Sequence, residues 1–412
     1  MKRLECLDGL RGLLALYVLL GHMAPFAPLP RWMESIVSHG EAAVDVFFIL
    51  SGLVITQSLH RFQGNTVGFL LARGARIFPV FLAMFALAML IQPASCGFGH
   101  MPWLTPDSVA RAICGSDWPN YWPIDVLTHL TMTHGLVPNG ILPHVWISFL
   151  GSSWSLSTEW QFYILALIVL GACAGRILGA RAGRGLGARV GRVPGAEAGG
   201  GLGARAGWSS TAATDGNRLA CILMLVAVAG VVWNWLVPES WQFSRAFLGN
   251  KGHFFALGVA SVAVVREQRG AWPIYGVALA MTLLICAAQQ SFGKMLPPVV
   301  WTLCLAAQLR PDMAGLYPVS WLLRHPGAQY FGAISYCVYL TNEPIHKILA
   351  TGLSRLADSD AAAFTVVWLP AAFLLPLLAS DWLHRHVEIP AQRWGRASAL
   401  AWPGAHVRIT RD

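Results

Sequence analysis

Leu7-Asp8-Gly9-Leu10-Arg11-Gly12-Leu13-Leu14-Ala15-Leu16-Tyr17-Val18-Leu19-Leu20-Gly21-His22 is the stretch that decides the architecture of this chain. Arg11 is the one charge between Leu10 and Gly21. A helix that is apolar on every side belongs in hydrocarbon, not at a water interface. Arg11 and His22 are eleven residues apart, about three turns and about 16 Å of rise, so both side chains leave the same face. An arginine and an imidazole on one face of a membrane span cost free energy, and such residues ordinarily mark a functional site.

The rest of the chain follows the same pattern. Of 412 residues 55% are hydrophobic and only 12% charged, the composition of an all-α polytopic membrane protein. Ten apolar stretches span or nearly span about 30 Å of hydrocarbon: Leu10–Leu29, Ala42–Leu59, Ile77–Gln92, Ser155–Ala174, Leu219–Val237, Gly252–Val265, Trp272–Gln289, Leu296–Leu309, Tyr330–Leu349 and Ala362–Leu383. With the N-terminus inside, 22 of the 29 Lys and Arg residues fall on the inner side and 7 on the outer side. That bias predicts about ten transmembrane helices with both termini cytoplasmic. The net charge of +9 is largely this inner-face excess. No aromatic-basic platform accompanies it, so the expected partner is the bilayer and not nucleic acid. The first span is too long, and too closely followed by a second, to be a cleaved signal.

One membrane domain is expected over residues 1–396, with a cytoplasmic tail over 397–412. Inside it, Arg176 to Asn217 is a Gly/Ala/Arg segment that repeats Leu-Gly-Ala-Arg at 178–181, 186–189 and 202–205. With almost nothing to bury, it reads as a disordered cytoplasmic loop. The outer segment from Gly97 to Trp154 carries Trp103, Trp118, Trp122 and Trp146, and is placed to form a lid or vestibule. Cys96 and Cys114 both fall at or in this segment, and the sequence leaves their pairing open.

Four clusters carry potential chemistry. Arg11 and His22 are the first; Arg11 alone would also read as a topological charge and His22 alone as a hydrogen-bonded core histidine. In the second, Glu41 and Asp45 lie four apart at the start of the second span, and Asp45 enters the apolar layer where it could orient His22. Glu159, in Trp154-Ser155-Leu156-Ser157-Thr158-Glu159-Trp160-Gln161-Phe162-Tyr163, is the third; it falls about one turn into the fourth span at a depth similar to His22 and Asp45, where a carboxylate must be paired or protonated. Fourth, Arg73 and Arg76 stand three apart before Pro79 on the cytoplasmic side, an arrangement suited to phosphates or to topology alone. The thirteen histidines show no HExxH or paired ligand spacing, and no metal is expected.

Taken in order, these pieces resemble acyltransferase family 3 of integral membrane proteins over essentially the whole chain. The resemblance rests on Leu7-Asp8-Gly9-Leu10-Arg11 with His22, Val44-Asp45-Val46-Phe47-Phe48-Ile49-Leu50-Ser51-Gly52, Arg73-x-x-Arg76-Ile77-x-Pro79 and Trp154-Ser155-Leu156-Ser157-x-Glu159-x-Gln161-Phe162-Tyr163. Ile334-Ser335-Tyr336-x-Val338-Tyr339-Leu340 and Glu388-x-Pro390 complete it. One position departs: members often carry a histidine two residues after Tyr339-Leu340, where this chain has Asn342.

The resemblance implies an inner-membrane enzyme that moves an acyl group, commonly acetyl, from cytoplasmic acyl-CoA to a hydroxyl of a carbohydrate or other acceptor. It implies that Arg73 and Arg76, with Arg11, hold the CoA phosphates and that His22 acts as general base, with Asp45 or Glu159 tuning it. Direct transfer is the simpler route and an acyl-histidine relay the alternative. A transporter or flippase of lipid-linked sugars or small organic compounds is the rival class, since many spans with buried charges fit it as well. The sequence shows no inverted repeat to support that rival.

Overall fold

Backbone groups in hydrocarbon find no water, so apolar runs of this length must satisfy themselves as helices. The computed structural model describes residues 4–62, 65–104, 108–112, 114, 117–187, 203–290, 292–356 and 360–401. Among them no strand forms, and a single antiparallel bridge pairs Pro138 with Phe243. The helices are, in order, α1 (Glu5–Met23), α2 (Arg31–Val37), α3 (Gly40–Phe62), α4 (Thr66–Ile91), α5 (Val109–Ala112), α6 (Trp122–Leu130), α7 (Trp154–Gly187) and α8 (Gly203–Leu236). They continue with α9 (Leu248–Val265), α10 (Ala271–Ala288), α11 (Leu296–Leu309), α12 (Tyr317–Arg324), α13 (Pro326–Leu356), α14 (Ala361–Leu383) and α15 (Ile389–Ala401).

Seven helical segments are long and apolar enough to cross a membrane: Glu5–Phe26, Arg31–Phe62, Thr66–Ala94, Asp215–Leu236, Leu248–Val265, Ala271–Ala288 and Ala361–Ala401. The three other apolar runs of the sequence lie within α7, α11 and α13. Helix α7 runs on into the Gly/Ala/Arg repeat as far as Gly187, and α8 begins at Gly203. Alanine, leucine and arginine are good helix formers, which offsets the glycines there. Positions 188–202 of the expected loop, and 402–412 of the expected tail, lie outside the described residues.

Small residues set the helix crossings. A Cβ on Gly332 of α13 would stand 2.2 Å from the Asp8 carbonyl oxygen of α1, and one on Gly12 would meet the Ala328 carbonyl at 2.4 Å. Further along the same pair, Ala15 and Leu19 pack on Ile334 and Val338, so α1 and α13 run parallel in close backbone contact. Gly52 of α3 and Gly258 of α9 meet in the same way, each facing a carbonyl of the other helix.

Between α4 and α7 the chain folds into the bundle and does not float above it. Cys96 and Cys114 are joined by a disulfide, settling the question the sequence left open. His129 stacks on His134 at 4.1 Å and on Phe85 of α4 at 5.2 Å. His134 Nε2 reaches the Ser153 carbonyl (3.3 Å), and Ser157 of α7 donates to the Met132 carbonyl (2.7 Å). The first turns of α7 are therefore buried beneath this segment: Trp154, Ser155, Ser157 and Thr158 are all buried.

Candidate functional site

Five helices, α1, α3, α4, α7 and α13, line a chamber whose empty space, with the solvent at its opening included, is about 780 Å³. Arg11, Arg73 and Arg76 line it with Glu159, while Phe47, Val44, Ser155 and Tyr339 lie toward its other end. Asn65 caps α4 by accepting from the Gly68 amide at 2.8 Å, and Pro79 sits inside that helix. Arg73 and Arg76 therefore ride the first turns of a fixed helix, with the Arg73 guanidinium 5.7 Å from the centre of the Phe69 ring. Arg11 interacts electrostatically with Arg76, Arg73 and Glu159, and with Asp8 one turn before it at 3.9 Å. Three guanidiniums against one carboxylate leave the chamber with excess positive charge, so it suits a polyanion.

Glu159 is held from two sides. Ser51 Oγ donates to it at 3.0 Å and the Tyr163 hydroxyl makes a very short hydrogen bond to the same oxygen. Tyr336 turns its hydroxyl to the Ile77 carbonyl at 2.6 Å, and Ser155 Oγ donates to the Tyr339 hydroxyl at 2.9 Å. Ser51, Ser155, Tyr163, Ser335, Tyr336 and Tyr339 stood in the motifs without any role assigned; they are the polar lining of the chamber. Their spacing was the signal, since 155 and 159, or 335 and 339, share one helical face.

The expected outer cluster of His22, Asp45 and Glu159 does not form. Glu159 shares Ser51 with α3, and Ser51 lies six residues, about 9 Å of rise, beyond Asp45. The cause is the burial of the α7 start beneath the preceding segment, which carries Glu159 to the level of the arginines. Asp45 does not orient His22 either. Its Oδ1 accepts from Lys251 Nζ of α9 at 2.6 Å, and Glu41 accepts from the same ammonium at 2.8 Å. Arg245 closes the group on Glu41 at 3.0 Å. The ion pair ties α3 to α9, and all of Lys251 and Asp45 is buried.

His22 sits half-buried at the far end of α1 from Arg11, outside the chamber lining. Its Nδ1 lies 2.5 Å from Asn342 Oδ1 of α13. The carboxylate nearest in influence is Glu343, which pairs with Lys347 at 3.0 Å and accepts from the Ser152 amide at 3.2 Å. Tyr339, one turn before Glu343 on α13, lines the chamber on the side nearer this group.

Near the C-terminal helices, Cys337, His384 and Glu388 bring three potential metal ligands within 4.8 Å of one another. They already satisfy each other: Cys337 Sγ donates to Glu388 Oε2 (3.3 Å), His384 Nδ1 lies 2.7 Å from the same oxygen, and Gln392 donates to Oε1 (2.8 Å). The buried carboxylate thus joins α13 to the π-helical turn between α14 and α15.

A family model described as an acyltransferase domain matches residues 4–385. The chain belongs to acyltransferase family 3. It is also similar to acyltransferase MdmB of Streptomyces mycarofaciens, 31% identical over 179 residues that cover 39% of this chain and 38% of that protein. The chain thus matches well under half the length of that relative. No solved structure matches it. Five of the acyltransferase's six motifs face the chamber in part, the first four through Arg11; Ser51 with Val44, Phe47 and Phe48; Arg73, Arg76 and Ile77; and Ser155, Leu156, Glu159 and Tyr163. Ser335, Tyr336 and Tyr339 of the fifth do so as well, and Glu388 of the sixth anchors the helix that carries them.

Proposed function

We propose that this acyltransferase is a ten-span inner-membrane O-acyltransferase with both termini cytoplasmic. It transfers an acyl group, acetyl first among the choices, from cytoplasmic acyl-CoA to a hydroxyl of a carbohydrate acceptor such as surface polysaccharide or lipopolysaccharide. The observation that carries this reading is the chamber with Arg11, Arg73 and Arg76 clustered along it and a wall of apolar side chains, serines and tyrosines beyond. CoA phosphates would be held by the guanidiniums, leaving the thioester arm to run along that wall toward the His22 end.

His22 then takes the proton from the acceptor hydroxyl as its oxygen attacks the thioester carbonyl. The C–O bond forms, the C–S bond breaks, and the CoA thiolate recovers the proton from the imidazolium. A general base of this kind contributes about 10²–10⁴-fold, with positioning supplying the remainder. Glu159, fixed by Ser51 and Tyr163, sets the charge balance among the arginines in this scheme instead of tuning His22.

The test is purified protein with radiolabelled acetyl-CoA and an envelope glycan fraction. Labelled ester on the glycan supports the proposal, and vectorial uptake without a covalent product refutes it. Acid-quenched protein would retain label on His22 only if an acyl-histidine relay replaces direct transfer. Mass spectrometry of envelope glycans with and without the protein names the acceptor.

A further inference from the structure

We infer that Asn342 is a positioning residue that fixes the tautomer of His22, with the proton on Nδ1 and the lone pair on Nε2. The amide of Asn342 is fully buried and its orientation is dictated by its neighbours. Its Nδ2 donates to two carbonyls of its own helix, Val338 at 2.9 Å and Tyr339 at 3.1 Å. A flipped amide would set its oxygen against both carbonyl oxygens and waste both donors. Oδ1 is therefore the atom that faces His22 Nδ1 at 2.5 Å. An amide oxygen has no proton to give, so Nδ1 must be the donor. Neutral imidazole carries one ring proton, which leaves Nε2 as the basic nitrogen.

This explains an otherwise awkward departure from the family pattern. A histidine at position 342 would present a ring nitrogen whose donor or acceptor character depends on its own tautomer. Asparagine back-bonded to Val338 and Tyr339 presents an acceptor only. The geometry is that of a backbone-anchored orienter behind a catalytic imidazole, in which the wrong tautomer removes the base without removing the ring. Other titratable groups acting on His22 are Glu343, paired to Lys347, and His346 on the same helix. Asp45 on α3 is committed to Lys251.

The inference rests on His22 being the base, and its test separates the two. Nitrogen-15 NMR of the full-length protein in nanodiscs, with labelled histidine and a His22→Gln protein to assign the difference signal, reads the tautomer without any turnover. An aprotic Nε2 and a protonated Nδ1 are expected in the wild type, with mixed tautomers in Asn342→Leu. A protonated Nε2 in the wild type, or an unchanged signal in Asn342→Leu, overturns the inference. In the transfer assay Asn342→Leu should lower kcat about 10²-fold with KM for acetyl-CoA unchanged. Wild-type kcat in Asn342→Leu also overturns it. Full transfer by His22→Ala would instead defeat the general-base reading and leave the tautomer result standing.

Discussion

Arg73 and Arg76 are a matched pair on one helix, and each charge-assisted hydrogen bond they would make to a phosphate under the proposed function is worth about 1.5–3 kcal/mol. Replacing either by alanine should therefore raise KM for acyl-CoA by roughly 10- to 100-fold while kcat moves far less; an unchanged KM would leave the two arginines as topology signals only. His22→Ala should abolish transfer at a normal protein level, measured with the labelled-donor assay, and wild-type-like turnover would remove the imidazole from the mechanism. At this scale the sequence was legible for Arg11, Arg73 and Arg76, because a guanidinium in an apolar run announces itself. It was illegible for Asp45. The partner that claims its carboxylate, Lys251, is 206 residues away and was counted only as an outer-side charge. Removing that ammonium strands the buried Asp45 carboxylate and leaves Glu41 with Arg245. Lys251→Met should cost about 3–5 kcal/mol in a thermal or denaturant melt, and adding Asp45→Asn should recover a measurable part of it. No recovery would mean that Lys251 acts by packing alone.

Helices were the most legible elements, because hydrocarbon permits no other spanning backbone for an open chain of this kind. Every apolar run forms one over most of its length, although Leu10–Leu29 outruns α1, which ends at Met23. Depth was legible only where a span starts at the surface. The start of α7 does not, being covered by the turns that end in Ser153, and Glu159 was accordingly assigned to the wrong level. Azimuth was not legible at all, since one helix sequence cannot say which neighbour its face meets. The α1–α13 contact illustrates what decides it: glycine on both helices. Gly332→Val would push a side chain into the Asp8 carbonyl 2.2 Å away, with rigid backbone on both sides and nothing flexible to yield. Overpacking of this sort costs about 1–3 kcal/mol or more. The expected result is a lower melting temperature together with a raised KM for acyl-CoA, because Arg11 rides on α1. A variant with wild-type melting would show that the two helices can part without cost.

On the scale of the whole molecule, the segment between α4 and α7 closes the bundle over the start of α7, and its stability should depend on pH. Burial holds the His134 imidazole down to about 4 and lowers His129 well below its ordinary value, with the facing His134 ring acting in the same direction. An exposed imidazole titrates near 6.5. Between those values the unfolded segment binds a proton that the folded one refuses, so folding loses free energy as pH falls. The contribution is complete above about pH 6.5, declines through the window from 6.5 to 4, and levels off below it; for His134 alone it amounts to about 3 kcal/mol. The disulfide between Cys96 and Cys114 limits how far the segment can open, and the His129–His134–Phe85 stack ties the remainder to α4. Acid should thus loosen the cover over Ser157 and the α7 start before it unfolds the membrane helices. Hydrogen exchange on the detergent-solubilised protein at pH 7 and pH 4.5 is the check. Lower protection, relative to the slower intrinsic exchange at pH 4.5, is expected in residues 122–158 alone, with the contrast between the two pH values much reduced in the His129→Gln, His134→Gln double variant. Protection that falls equally in α3 and α9 would instead assign the acid response to the Glu41–Lys251–Asp45 group.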